Sequence, residues 1–298
     1  MNLLNLFVRN YARLHSYPCV PVQVFTPLRI VIRRLARYIL PKYLAMPTTQ
    51  HGGLATDIIV SLTSFPARIN NVWQVIECFQ RQSYKPRKII LWLSAEQFPN
   101  SDSIPQTLRM RESQDFEIRL VDGDIRSHKK YHYVAKEYAD SLVFLVDDDI
   151  YYDTQLIERT VKAHEEYPDA IICNYAYHIK HDKDGTLLPY NRWARENRAS
   201  QSDDLFFGSG GGTLFRPSSL HPDLTDIGSA LACCPIADDI WLNAMVRLAG
   251  KPVVLLRNGD ILPIYNRHDV MLYRQNQEQS MNDSQLTAVI QHYHKQIF

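Results

Sequence analysis

The sequence lacks long hydrophobic runs and carries almost no net charge. No stretch reaches the roughly 18–20 uncharged apolar residues that a membrane-spanning helix requires. The formal net charge of +1 argues against a general nucleic-acid-binding protein. Of the 298 residues, 45% are hydrophobic and 22% are charged, which is typical of a globular protein and not of a disordered or collagenous one. We therefore expect one large folded body with a small appendage.

Cysteine is also scarce, and its spacing matches no metal site. The chain has five cysteines and no CxxC pair, which predicts reduced thiols and a cytoplasmic location. We interpret the adjacent Cys233 and Cys234 as two small buried side chains rather than as a redox pair. Near the N-terminus Arg9 interrupts a short apolar stretch at residues 3–8, so we expect no secretory signal.

Acidic residues are absent from the first 56 positions. This segment has seven basic side chains, and the rest of the chain has 26 basic and 32 acidic ones. Residues 28–40 predict an amphipathic helix with apolar and basic positions on different faces. The apolar positions are Leu28, Val31, Ile32, Leu35 and Ile39, and the basic ones are Arg29, Arg33 and Arg37.

Two interpretations of this basic segment stay open. The helix could dock on an anionic membrane, at the inner face of the cytoplasmic membrane, or it could pack on the acidic body. Prolines divide the rest of residues 1–55 into short pieces. We therefore expect this segment to be a helical appendage and not a second enzyme domain.

From residue 56 to residue 265 the hydrophobic pattern alternates between strands and helices. Strands are predicted at 57–62, 87–93, 116–121, 141–146, 170–177 and 252–256, and helices at 68–82, 106–112, 126–138, 154–166 and 237–248. Residues 178–204 are polar and aperiodic, which indicates a functional loop or lid, and residues 266–298 are expected to form a polar tail. The alternation predicts an α/β, Rossmann-like domain with a mostly parallel sheet and helices on both faces. Such sheets bind ligands at the carboxyl ends of their strands.

Three consecutive acids, Asp147, Asp148 and Asp149, follow the apolar strand predicted at 141–146. In an extended backbone the first and third point to the same side, about 7 Å apart. Their repulsion, roughly 2 kcal/mol at an effective dielectric constant near 20, requires a divalent cation, a raised pKa or open solvent. Mg²⁺ and Mn²⁺ prefer oxygen ligands and share them with substrate phosphates, so Asp147 and Asp149 are candidate ligands for either metal. Solvated acids that cap the next helix are the alternative.

This acidic run resembles the DxD motif of GT-A-fold glycosyltransferases, which hold a nucleotide-sugar diphosphate through a divalent metal. Three segments are similar to bacterial family-2-like glycosyltransferases of lipopolysaccharide and capsule polysaccharide biosynthesis. They are residues 60–68 (VSLTSFPAR), 88–93 (KIILWL) and 125–130 (IRSHKK). The resemblance extends over about residues 57–270 and excludes the basic segment. It implies a GT-A catalytic domain at residues 56–265.

The resemblance assigns roles to two further motifs. The glycine-rich segment 207–216 (FGSGGGTLFR) would line the donor and acceptor cleft with Gly210, Gly211 and Gly212, whereas a flexible turn is the alternative. Asp238 and Asp239 open the helix predicted at 237–248 and resemble the acidic motif of inverting enzymes, in which the second acid is the general base. Asp238 stands where glutamate is commoner, which leaves open which of the two acts. Acids in a first turn also favour any helix dipole.

Contacts to the nucleotide are implied at the ends of the first and third strands. The residues expected to bind it are Thr63, Ser64, Pro66, Arg68, Asp122, Asp124, Asp148 and Lys130, with Arg126 and Lys129 as further groups to offset the diphosphate charge.

The late part of the sequence supplies the last site residues. His268 is the candidate third metal ligand, with an ordinary surface histidine as the alternative. Tyr190 and Trp193, within residues 178–204, are expected to fold over donor and acceptor and to exclude water.

The resemblance thus implies a metal-dependent, inverting glycosyltransferase. It would transfer a sugar from a nucleotide-sugar donor, a UDP-sugar, to a glycan or lipid-linked saccharide acceptor, with Asp239 as the base. One alternative is a nucleotidyltransferase that makes a nucleotide sugar, but residues 63–68 lack the glycine that its phosphate-binding loop would need. The other alternative is a non-catalytic, membrane-associated sugar-binding protein, which would have no use for Asp239.

Overall fold

An eight-stranded mixed sheet forms the centre of the protein. The computed structural model describes residues 2–14, 22–47, 54–196, 199–256, 261–265 and 281–298. The strands are β1 (Leu54–Ala55), β2 (Ile58–Thr63), β3 (Tyr84–Lys85), β4 (Lys88–Ser94), β5 (Phe116–Val121), β6 (Leu142–Leu145), β7 (Ile150–Tyr151), β8 (Ile171–Cys173), β9 (Ala176–His178), β10 (Ala194–Arg195), β11 (Ser200–Gln201), β12 (Leu205–Phe207), β13 (Thr213–Phe215), β14 (Val253–Leu255) and β15 (Leu262–Pro263). The helices are α1 (Leu3–Arg13), α2 (Thr26–Leu44), α3 (Val72–Gln80), α4 (Gln106–Arg109), α5 (Lys129–Glu137), α6 (Leu156–Glu166), α7 (Ile227–Cys233), α8 (Asp238–Leu248) and α9 (Met281–Tyr293).

The main sheet has the strand order β11-β14-β8-β13-β6-β2-β4-β5. Strands β5, β4, β2 and β6 are parallel neighbours, and β8 is parallel to β14. Within this sheet the described strands β13 and β11 run in the opposite direction. The predicted α/β, Rossmann-like fold with a mostly parallel sheet is confirmed.

Helices cover both faces of the sheet, which is why its central strands are apolar throughout. Successive residues of β2 point to opposite faces, so that Ile58 and Val60 belong to one hydrophobic cluster and Ile59 to the other. The first cluster includes residues of α1, α2, α3, α4 and α6. The second includes residues of α5, α7, α8 and α9.

Residues 170–177, predicted as one strand, form two. Strand β8 stays in the main sheet, whereas β9 leaves it and pairs with β10 and β12 in a small antiparallel sheet. The described part of residues 178–204 is therefore not a free loop. Aromatic packing explains the difference, because the Trp193 ring lies against Phe206 and its indole N–H donates to the carbonyl of Leu188 at 2.9 Å.

The basic N-terminal segment packs on the body. Leu4 of α1 and Leu40 and Leu44 of α2 are fully buried in the same hydrophobic cluster as β2 and α3. A polar contact fixes the same interface, since the backbone N–H of Thr154 donates to the side chain of Asn5 at 2.8 Å. The segment before residue 56 thus shares its hydrophobic core with the domain that follows.

The buried face of α2 is not the one predicted. Ala36, Leu40 and Leu44 face the body, whereas Leu28 and Leu35, assigned to the predicted apolar face, are each 48% exposed. The helix carries apolar residues on two faces, and the row with i, i+4 spacing near its C-terminal end meets α3 and the sheet. Leu40, which interrupts the predicted pattern, is therefore a central contact.

The C-terminal residues are packed rather than a polar tail. Helix α9 buries Leu286 and Val289 in the second cluster, and Phe298 is buried against Phe206. Residues 266–280 of the predicted tail lie outside the described residues. Among the described helices, none has both the length and the apolar character needed to cross a membrane.

Four cysteines lie in the part of the chain that the structure describes, and each is a buried free thiol: Cys78, Cys173, Cys233 and Cys234. The adjacent pair at 233–234 forms no disulfide, in agreement with its interpretation as two small buried side chains. Burial raises the pKa of both thiols and disfavours the reactive thiolate.

The packing of the N-terminal segment predicts the cost of a core substitution in α2. We expect Leu40→Ala to lower the free energy of unfolding by about 2–5 kcal/mol, because it leaves a cavity between α2 and the body. Leu28→Ala, on the exposed face of the same helix, should change it by less than about 0.5 kcal/mol. Urea denaturation of both variants measures the difference, and equal effects would contradict the packing of α2.

Candidate active site

The carboxyl ends of β2 and β6 meet at a switch point of the sheet. The two strands are parallel neighbours. The next main-sheet strand after β2, β4, lies on one side of the pair, and the next one after β6, β8, lies on the other. Connections that leave in opposite directions open a crevice, which is where ligands bind in sheets of this kind. The chain segments 63–68 and 147–149 come together at this crevice.

Asp148 joins these two segments. Its buried carboxylate accepts hydrogen bonds from the hydroxyl of Ser64 at 2.5 Å and from the guanidinium of Arg68 at 3.0 Å. Burial raises the pKa of Asp148, and Arg68 and Ser64 oppose the shift. Three residues predicted to bind nucleotide are thus brought together, but they bind one another.

The ammonium group of Lys130 lies between two carboxylates. It is 2.8 Å from Asp147 and 2.9 Å from Asp238. Burial favours the neutral amine, but the two carboxylates hold the pKa of Lys130 well above its usual range. Burial alone would raise the pKa of Asp238, but the charge of Lys130 lowers it below its usual value. The first acid after β6 is thereby tied to the beginning of α8.

Asp149 is held by the arginine that also binds Asp148. Its carboxylate is 2.9 Å from the Arg68 guanidinium, and its backbone carbonyl accepts from the N–H of Ile264 at 2.6 Å. The second contact lies beside β15, which pairs with β7 immediately after the acidic run. Two cationic side chains therefore hold all three consecutive acids.

The site can hold a divalent metal only with help from a substrate. Across residues 54–196, 199–256 and the other described ranges, no three His, Cys, Asp or Glu side chains come together as a metal site. The side chains of Asp147 and Asp149 are 39% and 22% exposed, whereas that of Asp148 is 6% exposed. Mg²⁺ is commonly bound by one or two carboxylates and completed by phosphate oxygens, so the two exposed acids fit that requirement. His268, the third predicted ligand, lies outside the described residues.

Asp239 lies in the first turn of α8, beside Asp238. Its carboxylate accepts from the backbone N–H of Ser209 at 2.9 Å and from the Ser209 hydroxyl. Burial and the charge of Asp238 raise the pKa of Asp239 to about 7, and Lys130 opposes this shift. The side chain is partly exposed and exchanges its proton near neutral pH, which are the properties of a general base.

The glycine-rich segment lies directly against the acidic cluster. A Cβ atom at Gly210 would come within 1.7 Å of a carboxylate oxygen of Asp147, and one at Gly211 within 2.4 Å of the Cβ of Tyr175. Gly212 has a φ of 100°, a conformation that favours glycine. The glycines are needed for this close packing, and their contact with donor and acceptor stays a prediction.

The other predicted nucleotide contacts lie at the rim. Pro66 and Asp122 are exposed, and the Thr63 hydroxyl donates to a backbone carbonyl of β4 at 2.8 Å. Asp124 accepts from the ammonium group of Lys129, which lowers its pKa against the effect of burial. Lys129 is therefore paired with Asp124 and does not face the acidic cluster.

Tyr190 and Trp193 pack against each other in the second hydrophobic cluster. Their ring centroids are 4.9 Å apart, and the Trp193 ring is buried. The backbone N–H of Tyr190 donates to Asp283 of α9 at 2.7 Å. The expectation that both rings cover a bound donor is corrected for Trp193, because its indole is fixed in the core.

Sequence analysis missed two residues of the site. Tyr152 accepts a hydrogen bond from the backbone N–H of Asp147 at 2.9 Å and donates to the carbonyl of Gly210, so it links the acidic run to the glycine-rich segment. Ser209 orients Asp239. Tyr152 follows the acidic run closely in the sequence, and Ser209 lies in the glycine-rich segment. Their hydroxyl contacts depend on tertiary structure and could not be read from either motif.

A cavity of about 340 Å³ lies beside the acidic run, between α1 and residues 150–156. Its walls include Arg9 and Arg13 of α1, Leu262 and the backbone of Gly211. The N-terminal segment therefore forms one wall of a space that extends to the glycine-rich segment.

Comparison with known proteins finds only remote structural similarity. No protein-family model and no curated protein matches the chain. A solved 4-diphosphocytidyl-2C-methyl-D-erythritol synthase is 11% identical, with 75% of this chain and 99% of that chain covered and a TM-score of 0.43. A synthase of the same title from Anaerococcus prevotii is 13% identical, with coverage of 76% and 97% and a TM-score of 0.41. Neither title names a glycosyltransferase, and likeness at this level does not transfer an activity.

Proposed function

We propose that the protein is a metal-dependent glycosyltransferase that moves a sugar, with inversion, from a UDP-sugar to a hydroxyl group of a glycan or lipid-linked saccharide. The observation that carries this proposal is the placement of Asp239. Its partly exposed carboxylate is oriented by Ser209 and lies in the electrostatic field of Asp147 and Lys130, at the crevice of the sheet.

In the proposed reaction Asp239 takes the proton of the acceptor hydroxyl. The oxygen then forms a bond to the anomeric carbon of the donor sugar, while the bond from that carbon to the diphosphate oxygen breaks. The nucleoside diphosphate leaves with the electron pair, and attack from the opposite side inverts the configuration. An ordinary aspartate is too weak a base for this step near neutral pH, and the raised pKa of Asp239 makes it a better one.

The acidic run serves the leaving group. A Mn²⁺ or Mg²⁺ ion bound there supplies charge stabilisation to the departing diphosphate. Asp147 and Asp149 are the residues that would hold the ion, and Arg68 and Lys130 keep those carboxylates in position. Asp148 binds Arg68 and Ser64 and thereby connects both to the end of β6.

Nucleotidyl transfer is the second candidate. It would use a similar sheet and similar carboxylates, and the two similar solved structures are titled as synthases of a diphosphocytidyl compound. Its nucleophile, however, is a phosphate oxygen that is already ionised at neutral pH, so no base is required. Asp239 and Ser209 would then have no chemical task, and the geometry therefore favours a hydroxyl acceptor. A non-catalytic sugar-binding protein would likewise have no need of a proton-exchanging acid.

A substrate screen separates these functions. Purified full-length protein is incubated with UDP-sugars and saccharide acceptors, and separately with nucleoside triphosphates and sugar phosphates, each with and without Mn²⁺. We expect UDP release that depends on the UDP-sugar, the acceptor and the metal. Release of pyrophosphate without UDP release would replace our proposal with nucleotidyl transfer, and binding without turnover would indicate a sugar-binding protein.

Loss of the base predicts a specific kinetic defect. Asp239→Asn should lower kcat about 10²–10⁴-fold while donor binding is retained, because only proton transfer is removed. In the wild-type protein kcat/KM should rise with pH and level off above about pH 7, since the carboxylate must be deprotonated to act. The exposed Asp203→Asn variant is the control. Unchanged turnover in Asp239→Asn would exclude this residue as the base.

The metal assignment predicts a defect in donor binding. Asp149→Ala should raise the Mn²⁺ concentration needed for half-maximal UDP binding by about tenfold or more, because one of two carboxylate ligands is lost. Calorimetry of UDP binding across a Mn²⁺ series measures the shift, and thermal unfolding checks the fold. The exposed Asp140→Ala variant is the control. If Asp149→Ala binds UDP with normal Mn²⁺ dependence, Asp149 is not a metal ligand.

A further inference from the structure

Helix α2 has an exposed apolar row that the body does not use. Leu28, Val31 and Leu35 follow one another at i, i+3 and i+7 and are each 48% exposed, and Tyr38 continues the row at 64%. The opposite side of the helix already contributes Ala36 to the core. Single exposed apolar residues need no explanation, but a continuous row along one helix marks a contact surface.

Two basic side chains lie next to this row, Arg34 on its flank and Lys42 one turn after Tyr38. Arg33, Arg34, Arg37 and Lys42 of α2 are all exposed, and residues 1–56 contain no acidic side chain. The Arg37 guanidinium stacks on the ring of Tyr265, at 3.6 Å from its centroid. The surface around the apolar row is therefore cationic without an acidic neighbour on its own segment.

We propose that the exposed face of α2, formed by Leu28, Val31, Leu35 and Tyr38 with Arg34 and Lys42, binds the surface of an anionic phospholipid membrane. The helix lies parallel to the membrane, with its apolar row among the headgroups and acyl chains and its basic side chains against lipid phosphates. Each basic side chain near such a surface strengthens binding about fivefold. We name these six residues the lipid-facing surface of α2.

Charge favours a membrane over a second copy of the chain as the occupant. In a two-fold symmetric contact each patch meets its own copy, so the arginines of two α2 helices would come together without acids from this segment to pair with. An anionic lipid surface offers both an apolar layer and negative charge. This inference does not rest on the proposed catalytic function.

Vesicle co-sedimentation of the full-length protein tests the inference. We expect binding to phosphatidylcholine vesicles that contain phosphatidylglycerol, weaker binding at high salt, and little binding to phosphatidylcholine alone. The double variants Arg34→Gln/Lys42→Gln and Leu28→Ser/Leu35→Ser should each weaken binding about tenfold or more, because the first removes attraction and the second removes apolar contact. Exposed controls of the same kinds, Lys183→Gln and Met110→Ser, should bind as the wild type does.

The same variants also define the results that would overturn the inference. All substituted positions are exposed, so thermal unfolding should not change and a loss of binding reports the surface itself. Failure of the wild type to bind anionic vesicles, or full binding by Arg34→Gln/Lys42→Gln, would overturn the inference. A wild-type dimer that Leu28→Ser/Leu35→Ser converts to a monomer, with no vesicle binding, would assign the surface to a second copy and also overturn it.

Discussion

One buried ammonium group holds the candidate site together. Lys130, in the first turn of α5, binds Asp147 at the end of β6 and Asp238 at the start of α8, which are far apart in the sequence. Removing one member of such a buried set leaves an uncompensated charge, so each of the three depends on the others. The contact also connects Asp147, against which Gly210 packs, to the first turn of α8, which carries Asp239.

The sheet and the position of the site could be predicted because both depend on local pattern. Strands buried on two faces are rich in apolar residues, and alternation of strands with helices predicts a mostly parallel sheet. The contacts of Lys130 could not be predicted, because they join segments that only the fold brings together. The small sheet around Trp193 was missed for a similar reason, since its strands are only two or three residues long and Phe298, which packs on its Phe206, is distant in sequence. On α2, periodicity showed which residues share a face but not which face meets the body, and Leu40 was misjudged accordingly.

The negative charge of the acids at 147–149 is partly neutralised before a substrate binds. Arg68 and Lys130 occupy the carboxylates, and Asp239 reduces the remaining repulsion by taking up a proton near neutral pH. In the proposed function Asp147 and Asp149 would hold the metal ion while Arg68 and Lys130 keep them in position, and a bound diphosphate would accept hydrogen bonds from these two cations.

The burial of Leu4, Leu40 and Leu44 has a consequence for how the protein would sit on a surface. A flexible tether would leave the orientation of the candidate site relative to the surface undefined. A helix that is packed in the hydrophobic core would fix that orientation. Because α1 forms a wall of the cavity beside Gly211 and contacts α2, the proposed attachment through α2 would be rigidly connected to that cavity. A chain shortened to begin at residue 56 would lose that orientation, expose part of its hydrophobic core and be prone to aggregate.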